Sequence, residues 1–170
     1  EKAARETEGV TLTWEGHFID PLFTHTTTGF TRPGDEEHPY LASVSCVHDP
    51  EEEGFVQEMI MQPEEAAKRV SAIPAGDGSF RTIPPEAFPE QVQIISRDEA
   101  GYALQLQIGG FPFNGEEVRL ALGLPSACFE LNRHGSDVRF TVRGRGHGWG
   151  LSQTEAQALA EDGWSAEVIL

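Results

Sequence analysis

Few basic residues, few cysteines and no long apolar run distinguish this sequence of 170 residues. Lys and Arg number 12 against 28 Asp and Glu, which gives a formal net charge of −16. Because phosphates and anionic lipids attract Lys and Arg, this balance argues against nucleic acid and anionic membranes as partners. No apolar run approaches the roughly 18–20 residues that a membrane-spanning helix needs. What remains is a globular composition with an acidic surface that favours solubility.

Cys46 and Cys128 are the two cysteines, and they lie far apart in the sequence. Neither belongs to a C-x-x-C motif, so they form neither a disulfide framework nor a recognisable zinc site. Two buried thiols and one disulfide bridge both remain open at this point.

Hydrophobic periodicity and turn residues predict an α+β fold of mainly antiparallel sheet with a few short helices. Strand-forming runs are Val10–Trp14 with Phe18–Thr24, Tyr40–Val47, Phe55–Met61, Val92–Ser96 with Tyr102–Ile108, and Cys128–Leu131 with Val138–Val142. Helical patterns occupy Glu1–Glu8, Pro63–Ala72, Glu116–Leu122 and the region after Ser152. No internal repeat or long linker divides the chain, so residues 1–170 are predicted to form one domain.

Glycine falls on every second position in the segment from Arg143 to Gln153, RGRGHGWGLSQ. If this segment is extended, one face is bare backbone and the other carries alternate side chains. His147 and Trp149 on that second face suit hydrogen bonding to, and stacking on, a polar ring. The alternative is a glycine turn of positive φ with Trp149 in the core, and the pattern alone weighs the two equally.

Two further segments are rich in polar side chains. Ser152 and Glu155 have the spacing of a capping box, in which each side chain binds the backbone N–H of the other residue. The second segment, Thr24–Thr31, carries His25 among threonine hydroxyls, which are natural partners for sugar hydroxyl and acetamido groups. A threonine-rich surface loop is the simpler reading of Thr24–Thr31.

The segment Gly146–Gln153, followed by Ala156, resembles the Gly-His-Gly-Val-Gly-Met-Ser-Gln-x-Gly-Ala signature of the stage II sporulation protein D and amidase-enhancer family. Arg119–Phe129 is similar to that family's Arg-x-x-Leu-Gly-Leu-x-Ser-x-x-Phe stretch. Other matches in family order are Thr7, Gly9, Trp14–Gly16, Phe23, His25, Gly29, Thr31 and Pro39–Leu41. The resemblance covers most of the chain. It departs at Trp149, where the signature has valine, and at Thr154–Glu155.

The resemblance implies a peptidoglycan lytic transglycosylase, or alternatively a non-catalytic cell-wall binder or amidase enhancer. Peptidoglycan glycan strands and other cell-wall hydrolases are the implied partners, in an extracytoplasmic location at the cell envelope. The residues implied to position the substrate are His25, Tyr40, His147, Trp149, Ser152 and Gln153. The family's catalytic Glu lies on an N-terminal helix in an Ala-Ala-Glu-Met-Pro type of motif, which this chain lacks. We therefore expect the isolated chain to be the groove-bearing part and to be inactive.

Two other chemistries are weakly supported by the sequence. Some relatives are expected to hold zinc through the His of this loop and two nearby cysteines. No cysteine lies between Thr26 and Ser45, so His38 with Asp35 or Glu36 would have to substitute, and we expect no metal and no cofactor. A Ser152–His147 hydrolase is disfavoured because no G-x-S-x-G elbow is present.

Overall fold

The computed structural model describes residues 7–170. Its strands are β1 (Thr13–Trp14), β2 (His17–Phe18), β3 (Phe23–Thr24), β4 (Val56–Met61), β5 (Val92–Arg97), β6 (Ala103–Ile108), β7 (Phe111–Asn114), β8 (Phe129–His134), β9 (Asp137–Arg143) and β10 (Leu151–Ser152). Its α-helices are α1 (Pro63–Ser71), α2 (Gly115–Leu122), α3 (Gln153–Glu161) and α4 (Ala166–Ile169). The predicted α+β class with mainly antiparallel sheet is confirmed. The helix predicted at Glu1–Glu8 lies almost wholly outside the described residues.

Two antiparallel sheets of three strands enclose the main core. One has the order β4-β9-β8 and the other the order β5-β6-β7. Along β9 every second residue is buried, and Val138, Phe140 and Val142 are all inaccessible to solvent. This period of two is what a strand with one face on the core requires. The same cluster takes in Leu106 and Phe113 from the second sheet, so the two sheets share one core.

Helices α1 and α2 close the core, and local signals account for their bounds. Pro63 occupies the first turn of α1, where its missing N–H costs nothing, and Val70 on the inner face is fully buried. The Asn114 side chain caps α2 by accepting from two backbone N–H groups. Gly123 ends α2 in the left-handed conformation, with a φ of 72°. Both helices lie where the sequence predicts them.

Two regions differ from the sequence prediction. The strand expected at Tyr40–Val47 is wrong, because this segment is irregular and pairs only through a bridge between Ser45 and Phe30. Strand β7 was not predicted, because Pro112 lies within it. Pro112 is tolerated there because β7 is an edge strand with one free side.

Cys46 and Cys128 are both free and buried, which settles the alternatives in favour of two thiols over a bridge. Burial raises the pKa of the Cys46 thiol to about 11. Among residues 7–170, no helix has the length and apolarity needed to cross a membrane.

Candidate functional site

The two polar segments singled out in the sequence lie side by side. Strand β3 pairs in parallel with β10, so that Phe23 is opposite Leu151 and Thr24 opposite Ser152. Two residues further on, Thr26 and Arg145 exchange backbone hydrogen bonds of 3.0 and 2.8 Å. The loop that carries His25 is therefore joined to the glycine-rich segment and to the start of α3.

The glycine-rich segment is not the extended ribbon that the alternating pattern suggested. Its four alternate glycines all have positive φ, between 72° and 109°, so the glycine-turn reading is correct for the backbone, whereas Trp149 is half-buried and lies outside the core. A Cβ on any of them would collide with the protein itself, which excludes their use as open backbone for a ligand. The colliding groups are the Thr26 and Thr27 carbonyls at Gly144, the Thr24 hydroxyl at Gly146, the Tyr102 ring at Gly148 and the Leu22 carbonyl at Gly150.

Asp49 is a buried carboxylate that accepts hydrogen bonds from both segments. It is completely inaccessible to solvent, and its Oδ2 accepts hydrogen bonds of 2.6 Å from both the backbone N–H and the hydroxyl of Thr27. The Ser152 hydroxyl donates to the same carboxylate at 2.8 Å. The sequence prediction does not include Asp49, because no local pattern marks its distant partners.

Ser152 has an internal role that argues against the substrate contact predicted for it. Its side chain is 2% exposed, donates to Asp49 and accepts from the Glu155 N–H at 3.3 Å as the N-cap of α3. The first half of the predicted capping box is therefore confirmed. A Ser152–His147 hydrolase is not supported, since the hydroxyl is bonded to Asp49.

Glu155 does not return to the N–H of Ser152, so the second half of the capping box is wrong. Its carboxylate instead accepts the His48 N–H at 2.8 Å and lies 3.1 Å from His48 Nδ1. This hydrogen bond raises the pKa of His48, because the neighbouring carboxylate favours the charged imidazole. Glu155 therefore ties α3 to the segment that precedes Asp49.

His147 and Trp149 form one stacked unit with Arg32. The two rings lie 5.7 Å apart, tilted by 30°, and the Arg32 guanidinium lies 3.7 Å from the centre of the indole. The Trp149 backbone N–H donates to His147 Nδ1 at 3.1 Å, so the His147 proton belongs on Nε2. Burial lowers the pKa of His147, and this favours the neutral ring. Most polar atoms of this unit are thus already bonded within the protein.

His25 and Gln153 are the predicted site residues whose side chains face solvent most openly. Along β3 and its continuation, Phe23 and His25 are exposed while Thr24 is buried. In the parallel register Gln153 follows Ser152 just as His25 follows Thr24. His25 Nδ1 bonds the Thr26 hydroxyl at 2.8 Å, which leaves Nε2 available. We call the surface formed by Phe23, His25 and Gln153 the outer face.

A groove of about 540 Å³ adjoins the outer face. Tyr40 lines this groove, with its hydroxyl fixed on the Asp20 carbonyl at 2.8 Å and its ring 6.5 Å from that of Trp14. Its other lining residues include Phe23, Leu151, Ser152 and Gln153 from the paired segments. Mostly apolar walls and few polar groups are typical of sites that bind organic ligands.

Two of the residues considered for zinc, His38 and Asp35, pair with each other and not with His25. His38 Nδ1 lies 2.9 Å from the Asp35 carboxylate, and His25 bonds Thr26. Within residues 7–170, no group of three or more His, Cys, Asp or Glu side chains has a geometry that suits a metal ion.

Sequence comparison adds relatives to this geometry. The chain is 29% identical to stage II sporulation protein D of Bacillus amyloliquefaciens over 172 aligned positions, and 28% identical to that of Bacillus subtilis strain 168. This chain is similar to stage II sporulation protein D. Each alignment covers 99% of the chain but 47% of the relative, so the chain spans about half the length of the sporulation proteins that it matches. No family model matches the chain.

Proposed function

We propose that this chain binds peptidoglycan glycan strands during sporulation, as the substrate-binding part of an extracytoplasmic lytic transglycosylase. The observation that carries the proposal is the outer face beside the groove. There, an exposed imidazole, an exposed amide and an exposed aromatic ring come together from two distant segments. Imidazole and amide groups bind the hydroxyl and acetamido groups of a sugar, and an aromatic ring packs on its apolar face. The similarity to stage II sporulation protein D supports a role in sporulation.

Cleavage of a strand by this chemistry needs one carboxylic acid. The acid protonates the glycosidic oxygen as the C1–O bond to the next sugar breaks. The resulting carboxylate then takes the proton of the sugar's own 6-hydroxyl while that oxygen bonds to C1, which closes a 1,6-anhydro ring. Such an acid must reach solvent and substrate. Asp49 is sealed and accepts three hydrogen bonds, and Glu155 is 8% exposed and bonded to His48. Neither of these two carboxylates, which lie beside the paired segments, fits that role.

The proposal is tested with purified glycan strands and the isolated chain. We expect strands to bind and no 1,6-anhydro ends to appear, whereas the full-length protein releases such ends. His25→Ala with Gln153→Ala should weaken binding by about tenfold, the equivalent of one or two hydrogen bonds. Gln157→Ala is the matched control, because Gln157 is exposed one turn further along α3.

A non-catalytic cell-wall binder or amidase enhancer is the second candidate, with other cell-wall hydrolases as partners. It is favoured by the outer face, which offers groups for binding, while Asp49 and Glu155 beside it are engaged within the protein. If the full-length protein binds strands and releases no anhydro ends, this candidate replaces the transglycosylase. Failure of the isolated chain to bind strands at all would contradict both.

A further inference from the structure

Arg32 is a buried cation in an irregular loop, outside every motif identified in the sequence. Its side chain is 3% exposed. Nε donates to Asp98 at 2.6 Å, and one terminal nitrogen lies 3.2 Å from both Glu116 and the His147 carbonyl. A guanidinium with this little exposure requires several partners, because removing a charge from water is costly.

The partners of Arg32 come from three separate parts of the fold. Asp98 directly follows β5, Glu116 lies in the first turn of α2, and His147 belongs to the glycine-rich segment. The two sheets and helix α2 belong to the packed core, whereas residues 147–149 have no regular structure. Arg32 therefore fixes an irregular segment to the rigid part of the protein.

Backbone and side-chain hydrogen bonds join residues 32–33 to residues 147–149. The Arg32 N–H donates to the Gly148 carbonyl at 2.8 Å, and the Trp149 indole N–H donates to the Pro33 carbonyl at 3.1 Å. The guanidinium covers the indole at 3.7 Å. This stack needs a planar cation, so Lys in place of Arg32 would keep the charge and lose the contact.

The glycine-rich segment continues directly into the outer face. Gly148 N–H donates to the Thr24 hydroxyl at 3.1 Å, and β10, which pairs with β3, begins three residues later at Leu151. A shift of residues 147–149 would therefore move the β3–β10 pair that places His25 beside Gln153.

We propose that Arg32 is a positioning residue for the glycan site, holding residues 147–149 so that the outer face keeps the shape that binds a strand. Arg32 acts through Trp149 and has no contact with the sugar. This inference rests on the proposed function, and it names the residue that keeps the proposed site in shape.

The test compares Arg32→Lys with Arg119→Lys in the isolated chain. Arg119 pairs with the same Glu116, at 2.7 Å, and is the matched control. Three measurements are made: the thermal unfolding midpoint, the indole N–H resonance of Trp149 (assigned with Trp149→Phe), and affinity for purified strands. We expect Arg32→Lys to remain folded, to shift the Trp149 resonance and to weaken binding by about three- to tenfold. Arg119→Lys should leave the resonance and the affinity unchanged.

Each outcome decides a different claim. An unshifted Trp149 resonance and unchanged affinity in folded Arg32→Lys would overturn the inference while the proposed function stands. If both variants lose affinity equally, or if Arg32→Lys is unfolded, Arg32 stabilises the whole fold. Either result would also overturn the inference that it positions the site. If the parent chain binds no strand, the proposed function fails, and the resonance still reports whether Arg32 positions Trp149. As a second measurement, Arg32→Lys and Trp149→Leu should weaken binding less in combination than the sum of their separate effects, because they disrupt one contact.

Discussion

The alternate glycines from Gly144 to Gly150 make room for neighbouring parts of the same chain. At each of them both constraints on a side chain apply together, a positive φ and a neighbour closer than any Cβ tolerates. Gly148 is the sharpest case, because it lies against the fully buried ring of Tyr102. The residue type is thus dictated by packing, and the site depends on that packing for its shape.

Substitution of Gly148 separates backbone strain from steric overlap. We expect Gly148→Ala to lower the free energy of unfolding by about 2–5 kcal/mol, since overpacking adds to the cost of a left-handed residue. Gly110→Ala is the control, because Gly110 has nearly the same φ, 86° against 85°, with no atom within 4 Å of the added carbon. It should cost about 1–2 kcal/mol. Denaturant unfolding measures both, and equal losses would show that Tyr102 yields to the methyl group.

Individual residues show which features of the site can be predicted from the sequence and which cannot. The Thr24–Thr31 loop and the glycine-rich segment both stand out in the sequence by their polar residues, and they lie side by side in the fold. Ser152 looks the same in sequence whether its hydroxyl faces a ligand or Asp49. Arg32 and Asp49 carried no signal. The side-chain partners of Arg32 lie 66 to 115 positions away, and those of Asp49 lie 22 and 103 positions away. Long-range partners are invisible to local patterns.

Among the helices and strands, the predictions that the structure confirms are those with a local sequence signal. Helix α1 was predictable from the proline in its first turn, and helix α2 from the left-handed glycine at its end. Segment 40–47 has a strand-like composition, yet no strand lies alongside it except at the Ser45–Phe30 bridge. A strand needs a partner, and sequence alone does not provide one. Helix α3 combines the two cases, with a predictable cap at Ser152 and an unpredicted tie from Glu155 to His48.

The contact between His48 and Glu155 makes the packing of α3 against the segment before Asp49 depend on pH. Because the hydrogen bond with Glu155 raises the pKa of His48 above 6.5, with Glu51 and Asp162 adding to the effect, charged His48 stabilises the folded state. The stabilisation is fully present below the unfolded pKa and is lost as the pH rises through the raised folded pKa. We expect the parent chain to melt above His48→Gln at a pH of about 5.5, and this advantage to disappear by a pH of about 8.5.

Glu155→Gln provides the control for this prediction. In that background the effect of His48→Gln should change much less with pH, because the largest cause of the raised His48 pKa is gone and only the weaker effects of Glu51 and Asp162 remain. His147, whose pKa is lowered by burial, titrates in all four proteins and cancels from the differences. A parent advantage that grows with rising pH would contradict the assigned sign.

The whole chain carries a formal net charge of −16, which affects its long-range electrostatic interaction with a charged polymer such as the proposed ligand. Peptidoglycan bears carboxylates on its peptide stems, so protein and polymer repel each other at long range. Salt screens this repulsion, with a Debye length of about 10 Å at 0.1 M against about 30 Å at 0.01 M. The short-range contacts proposed for His25 and Gln153 involve hydrogen bonds and are screened much less.

Affinity for strands that keep their peptide stems should therefore rise with salt, by about threefold or more between 0.01 and 0.1 M. Neutral chitin oligosaccharides, which carry the same acetamido and hydroxyl groups without carboxylates, are the control and should bind equally at both salt concentrations. Titration calorimetry on the two ligands measures the difference. If affinity for the charged strands instead falls with salt, attraction to an exposed cation such as Arg145, which pairs with Thr26 beside the outer face, outweighs the net charge. In that case Arg145→Gln should reverse the slope, and binding would depend on a local ion pair within an acidic surface.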